Sequence, residues 1–455
     1  MSSGDPFSSL SSIRSLARMK ASGVGFSDGV SILKTPVQAG DLTFPNRVAI
    51  QPLEAADADA MGAPTDHTRR RYVEYAEGGA GLIWFEACSL DYPEARSHRS
   101  MLVISEKTMR PLKRVVEEVK ETSRSRMARL GLEGRAVLVL QLSHAGRYRA
   151  VKSRRSPAIA YRFPGVDDGL GIGGDVGRVV TDAELEELMN VFVDASSLAY
   201  MAGFDAVDVK SCHGYLLNDL LSGYTREGIY GGTSFENRSR FLLETVKAIR
   251  EEADGEVTSR ISAYDGHPPP HGFGCSGEAD GETGLTGVDP SEPTRLIKEM
   301  KKLGVDFVNV SLGNPYNTQY LTRPYSKMKG SDDSPIHPLK GVEKHFNIVE
   351  TLKRNAPGVT FVGSGYSWLR QYGANAASHN VERGRVDVAG WGRLAIACPR
   401  FPRYIFEKGA VPSVKTCVAC GSCTRLLRAR LRSGCVVQNP EEFKESMRKL
   451  DEKKG

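Results

Sequence analysis

No window of the 455-residue chain approaches the ~20 consecutive apolar residues that a spanning helix requires, which excludes a membrane-embedded bundle. The stretch from Met1 to Lys34 is rich in Ser and Gly and lacks the apolar core of a secretory signal. It reads as a loosely ordered extension of a cytoplasmic protein. Short-period repeats and low-complexity tracts are absent. A general excess of charge is absent too. The formal net charge is +6, and residues 402–455, with 12 Lys/Arg against 6 Asp/Glu, carry all of it. Basicity is therefore local to one end, which suits a nucleic-acid binder or a segment wrapped around something anionic.

Hydrophobic residues make up 40% of the chain and charged residues 25%, which excludes disordered and collagen-like chains. A chain this long buries a sizeable core without disulfide staples. Of its eight cysteines, Cys88, Cys212, Cys275 and Cys398 are scattered, whereas Cys417, Cys420, Cys423 and Cys435 sit together. In a cytosolic chain such a group reads as metal ligation before disulfides.

Between Asn46 and Arg400, short apolar runs alternate with amphipathic stretches, the pattern of repeated βα units around a parallel sheet. Eight strands are expected: Val48 to Leu53, Gly81 to Ala87, Ala136 to Leu142, Ala206 to Lys210, Val257 to Ala263, Phe307 to Leu312, Thr360 to Ser364 and Val386 to Trp391. Helical patterns intervene, including Arg110 to Leu130, Asp182 to Ala202, Asn237 to Glu252, Pro293 to Leu303 and Val342 to Asn355. This α/β pattern fits a (β/α)₈ TIM barrel with insertions at residues 149–180, 264–290 and 312–340 over its catalytic face. A doubly wound open sheet is the competitor. Gly169, Gly171 and Gly174 satisfy G-x-G-x-x-G, but no strand precedes them and no helix follows, so no dinucleotide fingerprint is assigned.

The clustered thiols are spaced C-x₂-C-x₂-C, with the fourth twelve positions on. Bacterial ferredoxins open with the same spacing, and three close thiolates with a distant fourth suit the corners of a cubane. Arg425, Arg428, Arg430 and Arg432, lying between the third and fourth thiols, would offset its negative charge. Structural zinc is the alternative.

Several segments carry a family resemblance: "FPNRVAIQPLEA" at the first strand, "QLSHAGRY" at the third, "HGYLLNDLLS" and "YGGTSFENRSRF" after the fourth, and "VGSG" with "GWGRLAIACPRF" at the last two. The chain resembles the Old Yellow Enzyme family, and more closely its iron-sulfur branch containing 2,4-dienoyl-CoA reductase and trimethylamine dehydrogenase, where "CVACGSC" and "CVVQNP" also have counterparts. The likeness runs from about Leu42 to Pro440.

The resemblance implies FMN, with Pro52, Glu54, Gln141, Arg260, Gly363, Gly365, Gly392 and Arg393 around it. Gln141 would meet the flavin pyrimidine edge with one donor and one acceptor. Arg260 would stand near flavin N1, while the three glycines and Arg393 would take the phosphate. Tyr215 matches a proton donor and His213 a substrate anchor. Two positions depart from the family. Lys210 replaces the first histidine of the substrate-anchoring pair, and Glu54 stands where relatives have Thr, or the Cys that tethers flavin, so no covalent link is expected. Glu54 and Lys210 are expected to balance each other's charge across the flavin site.

Close iron-sulfur relatives continue into FAD and dinucleotide-binding domains, and this chain ends at Gly455. That leads to an expectation of a separate electron-transfer partner, or of NAD(P)H meeting FMN directly. The expected organisation is an N-terminal extension at 1–40, an FMN-binding barrel at 41–401 and a C-terminal cysteine-rich iron-sulfur segment at 402–455, with Cys417, Cys420, Cys423 and Cys435 holding a [4Fe–4S] cluster. The chemistry expected is reduction of an activated C=C bond in a small-molecule substrate. Oxidative N-dealkylation of a methylated amine and a non-enzymatic electron-transfer or assembly role are the alternatives. A homo-oligomer is expected, and neither nucleic acid nor a membrane as partner. His267, His271 and Cys275 have metal-like spacing but no supporting scaffold. Tyr316, Tyr320, Arg323 and Tyr325 are candidates to cap a substrate, or ordinary loop contacts.

Overall fold

The computed structural model describes residues 5–149, 157–174, 176–281, 283–327 and 333–452. Eight parallel strands form its centre: β1 (Val48–Ile50), β2 (Leu82–Leu90), β3 (Val137–Ser143), β4 (Ala206–Val209), β5 (Glu256–Ser262), β6 (Phe307–Ser311), β7 (Thr360–Gly363) and β8 (Val388–Trp391). Each pairs with the next, and β8 pairs with β1 through Gly390 and Ala49, so the sheet closes. Closure decides for the barrel over the open sheet. All eight expected strands are present, with ends shifted by a few residues.

Two hydrophobic layers follow from the period-2 alternation of side chains. Outward positions such as Ile83, Leu140, Val207 and Val308 pack against the surrounding helices. These include α1 (Leu10–Lys20), α2 (Asp66–Gly78), α3 (Glu106–Arg129), α4 (Asp182–Met201), α5 (Phe235–Glu252), α6 (Ser291–Lys302), α7 (Pro338–Asn355) and α8 (Gly373–Glu382). Inward positions Ala49, Leu82, Trp84, Val139, Phe307 and Val362 make a second cluster, capped at the strands' N-terminal end by a hairpin, Val37–Ala39 with Leu42–Phe44. Burying each such Val, Leu or Phe contributes roughly 1.5–3 kcal/mol. Two residues beyond Ala49, Val139, Ala206, Phe307 and Val362 the inward positions turn polar: Gln51, Gln141, Asp208, Asn309 and Ser364. One end of the barrel is thus sealed by apolar side chains and the other is built for chemistry.

The expectation of a loosely ordered N-terminus is overturned. Ser9 caps α1, whose Ile13 and Ala17 are buried at helical i, i+4 spacing, and Phe7 packs edge-on against Trp368 with ring centroids 5.4 Å apart. Ser and Gly content masked a short amphipathic helix. Residues 1–4 lie outside the described part, as do 150–156 and 175 of the first expected insertion and 328–332 of the third. The glycine-rich decoy forms a short helix, Pro164–Leu170, ended by Gly171 in the left-handed region, not a strand-to-helix phosphate turn. Among the described residues no helix is long and apolar enough to cross a membrane.

After the barrel, the chain returns over its polar end as α9 (Ser422–Arg428) and α10 (Pro440–Glu452). These pack on each other through Leu426, Phe443 and Leu450.

Candidate active site

A cavity of about 330 Å³ opens at the C-terminal ends of the strands. Every strand or its following loop reaches it: Gln51, Pro52 and Glu54 after β1, Ala87 and His98 from β2, Gln141 and Tyr148 from β3, and Lys210, His213 and Tyr215 after β4. Arg260 comes from β5, Tyr316 and Arg323 follow β6, Ser364 and Gly365 follow β7, and Gly392 and Arg393 follow β8. Ten of the eleven residues expected at a flavin site therefore converge. Gly363 does not line the cavity. It packs within β7, where an added Cβ would stand 3.0 Å from Val386 Cγ2.

The floor of the cavity is organised by a residue that the sequence reading passed over. Asp208 sits inside the barrel, fully buried. It accepts from the Gln141 amide (2.6 Å), the Trp84 indole (2.8 Å) and the Arg260 backbone N–H (2.7 Å). Because a carboxylate only accepts, the Gln141 NH₂ must face it, which leaves the amide oxygen and the second N–H for the cavity. Burial pushes the Asp208 carboxyl up to about 6, against those hydrogen bonds. The signal was an acidic residue inside the apolar run "AVDV".

Guanidinium nitrogens without partners line the same space. Arg260 Nε and Arg393 Nη1 are buried with no hydrogen-bond partner, and so is Arg323 Nε. Burial lowers Arg323 to about 10, aided by the neighbouring charges of Arg428 and Arg393. Gly365, at φ +103, occupies a region closed to side-chain-bearing residues. Guanidinium nitrogens with free donors beside a glycine turn at strand ends suit a ring-bearing phosphate ester, so the residues present fit FMN.

Glu54 and Lys210 act on each other's charge across the site, as expected, without a direct ion pair; Tyr215 stands between them. Its hydroxyl donates to Glu54 Oε1 (2.9 Å), while Lys210 Nζ lies 3.4 Å from its ring centroid. Glu54 Oε2 also meets His98 Nε2 at 3.2 Å. Burial raises the Glu54 carboxyl, but the His98 hydrogen bond and the Lys210 charge outweigh it and hold it below the usual carboxylate range. Burial, then the Glu54 charge, pushes the Tyr215 phenol well up. Burial lowers the Lys210 ammonium. His213, at φ +67, meets Ser311 Oγ at 2.7 Å, and burial with the Arg260 and Lys210 charges keeps its ring neutral. His98 was missed because nothing in the sequence ties the loop after β2 to Glu54.

Of the expected capping residues, Tyr316 and Arg323 reach the cavity, and Tyr316 stacks on Tyr148 at 3.9 Å. Tyr325 is buried elsewhere, and Tyr320 is not part of the lining. His271 and His267 pack on Phe163, with ring centroids 4.1 and 5.2 Å away, instead of assembling a metal site with Cys275.

Cys417, Cys420, Cys423 and Cys435 together line one small cavity. Among the described residues no three His, Cys, Asp or Glu side chains converge as ligands of a single ion. Cys423, Arg393 and Ile396 line both this cavity and the large one. Arg428 is tied by its Nη2 to Pro315 O at 2.7 Å, and Arg432 to Glu442 at 2.7 Å, so these two arginines help fasten the segment.

Comparison with known proteins places these features. The family model for the NADH:flavin oxidoreductase / NADH oxidase family matches residues 33–274. An NADPH dehydrogenase of Geobacillus thermodenitrificans is 30% identical over 287 residues, covering 62% of this chain and 73% of that protein. An NADH oxidase of Thermoanaerobacter brockii is 27% identical over 423 residues, 90% of this chain. The chain spans only 56% of that relative's length. Among solved structures, a 2-naphthoyl-CoA reductase complex superposes with a TM-score of 0.70 at 20% identity, covering 90% of this chain and 57% of the other. Histamine dehydrogenase from Rhizobium sp. 4-9 superposes with 0.68 at 21% identity, covering 91% and 53%. At these identities the structures speak for the fold.

Proposed function

The chain belongs to the NADH:flavin oxidoreductase / NADH oxidase family, and from that premise we propose that it is an FMN-dependent reductase of activated C=C bonds in an enoyl or dienoyl substrate. Membership makes it a flavin oxidoreductase, and the non-enzymatic alternative falls away. The observation that carries the reading is the single cavity in which Arg260 and Arg393, each with a buried guanidinium nitrogen left without a partner, meet Gln141, Tyr215 and His213.

FMN, when bound, supplies hydride exchange between its ring and a substrate stacked on it. The chain's own residues do the rest. Gln141, held by Asp208, addresses the pyrimidine edge; Arg260 sets a fixed cation beside the ring; Pro52 and Glu54 flank it; Gly365, Gly392 and Arg393 take the phosphate. His213 and Lys210 anchor the substrate's polar group. Tyr215 moves the proton at its hydroxyl oxygen. NAD(P)H is the proposed hydride donor, in keeping with the NADPH dehydrogenase relative.

A [4Fe–4S] cluster held by Cys417, Cys420, Cys423 and Cys435 is proposed as an electron relay. The C-x₂-C-x₂-C spacing with a distant fourth thiol supports a cluster, and Cys423 on the wall shared by the two cavities suits transfer. The proposed organisation is an extension at 1–40, the FMN barrel at 41–401 and an iron-sulfur segment at 402–455. A separate electron-transfer partner and a homo-oligomeric cytoplasmic enzyme complete it.

A second reading, oxidation of a small methylated amine, is favoured by one observation: a phenol backed by the Glu54 carboxylate is set to receive a proton. Anaerobic spectra separate the two. Reoxidation of reduced enzyme by an enone supports the first, and bleaching of oxidised enzyme by an amine the second. Colourless protein, or zinc in place of iron and acid-labile sulfide, overturns the cofactor assignment.

A further inference from the structure

Glu54 stands where two cavities meet. On one side it lines the large cavity with Tyr215 and His98. On the other it lines a cleft of about 410 Å³ whose walls include Asp57, Arg70, Arg71, Glu74, Arg400 and Glu442, a polar surface that water wets. Only Leu53, Glu54, Ile396 and Ser433 are common to both linings. Leu53 and Ile396 are apolar, which leaves Glu54 as the ionisable group at the boundary.

Within the large cavity the hydrogen bonds run in series: Tyr215 hydroxyl to Glu54 Oε1 at 2.9 Å, then Glu54 Oε2 to His98 Nε2 at 3.2 Å. His98 Nδ1 is buried without a partner. With Nε2–H donating to the carboxylate, Nδ1 carries a lone pair able to take a proton. The resting pair is a phenol beside a carboxylate, flanked by Lys210, Tyr148, Tyr316 and, behind Glu54, Glu86. If Tyr215 gave up its proton alone, it would leave a phenolate 2.9 Å from an anionic carboxylate, a pair of like charges that a buried site disfavours.

We propose that Glu54 and His98 form a proton relay that refills Tyr215 from water in the second cleft while Tyr215 delivers its own proton to the substrate carbon. The inference rests on Tyr215 as the proton donor of the proposed ene reduction. Its balance is simple. The new C–H bond at one carbon takes the Tyr215 proton, Tyr215 takes one from Glu54, and Glu54 takes one from cleft water, directly or through His98, whose Nδ1 gains a proton as its Nε2 gives one up. One solvent proton is consumed, and the hydride for the other carbon comes from the flavin reduced in the family reaction. Tyr215 and Glu54 end as they began, and His98 does so once its ring proton returns to Nε2. Run backwards, the same chain carries a proton away from a substrate being oxidised.

The experiment uses FMN-loaded enzyme with Glu54→Gln, His98→Gln and Tyr215→Phe in rapid mixing. Flavin reduction by NAD(P)H and reoxidation by an enone are followed separately. The relay predicts that E54Q and H98Q slow reoxidation about 10–100-fold more than reduction. A second readout needs no turnover: ultraviolet titration of tyrosinate, taken as a difference against Tyr215→Phe. Removing the Glu54 charge should move Tyr215 ionisation to lower pH. Equal slowing of both half-reactions, or reoxidation at the wild-type rate in both E54Q and H98Q, or an unmoved phenol titration, overturns the relay. Wild-type reoxidation in Tyr215→Phe would instead sink the donor assignment beneath it. If E54Q fails to fold, His98→Gln alone carries the test.

Discussion

The polar end of the barrel and the cysteine segment laid over it are both expected to hold a redox group, and they are held in place by different means. In the barrel, strand register alone puts Gln141 opposite Asp208, and three donors converge on that carboxylate. The protein's own hydrogen bonds hold the site's floor. The cysteine segment has a small core of Leu426, Phe443 and Leu450, a few tethers such as Arg428 to Pro315 and Ser433 N–H to the Ala55 carbonyl at 2.7 Å, and four thiols around a small cavity. A site built on a closed sheet is pre-organised, whereas a short cysteine-rich segment draws much of its order from what it ligates.

The strongest test of that contrast is Cys423→Ser. Iron and acid-labile sulfide should be lost almost completely, and residues 417–452 should become open to limited proteolysis, while flavin absorbance persists. Simultaneous loss of flavin and barrel unfolding would erase the distinction. Next, Asp208→Ala should cost about 3 kcal/mol in a denaturant titration, since it strands buried donors of Trp84, Gln141 and Arg260. It should also weaken FMN binding without releasing iron. An unchanged denaturation midpoint would show that the barrel site is not organised from Asp208.

A pH series sharpens the same point. The folded Asp208 carboxyl is raised to about 6 by burial, above the ordinary value near 3.9. The stability linked to its protonation is therefore complete below about pH 4 and is lost as pH rises through 6, up to roughly 3 kcal/mol. Asp208→Asn does not titrate, so its stability relative to wild type should rise between those limits. Parallel curves would refute the shift. The smallest effect is expected at the turn proposed to take the phosphate. Gly365→Ala places a side chain at φ +103 and a Cβ 3.2 Å from His345 Cβ, costing about 1–2 kcal/mol, visible as a lower Tm and faster FMN loss with the iron content intact.

The eight strands were legible because a barrel strand covered on both faces is a short apolar run between turn signals, and that is a local property. The cysteine spacing and the glycines before Arg393 were legible for the same reason. The N-terminal helix was misread because composition outweighed the spacing of Ile13 and Ala17. Asp208 was hidden by lying in an apolar run, where one acidic residue looks like an interruption. His98 was hidden by distance, since it is 44 residues from Glu54 and no periodicity connects two loops.

By itself the amino-acid sequence determined the barrel, the place of its catalytic end and the residue types gathered there, because alternation, spacing and turn chemistry act over a few residues. Only the tertiary structure decided which of those residues touch. It set Tyr215 on Glu54 across 161 positions, laid Lys210 against the Tyr215 ring, and put Cys423 on the wall of the flavin cavity. Side chains from separate loops meet where closing the sheet brings those loops together, and nothing within a few residues of either one records the meeting.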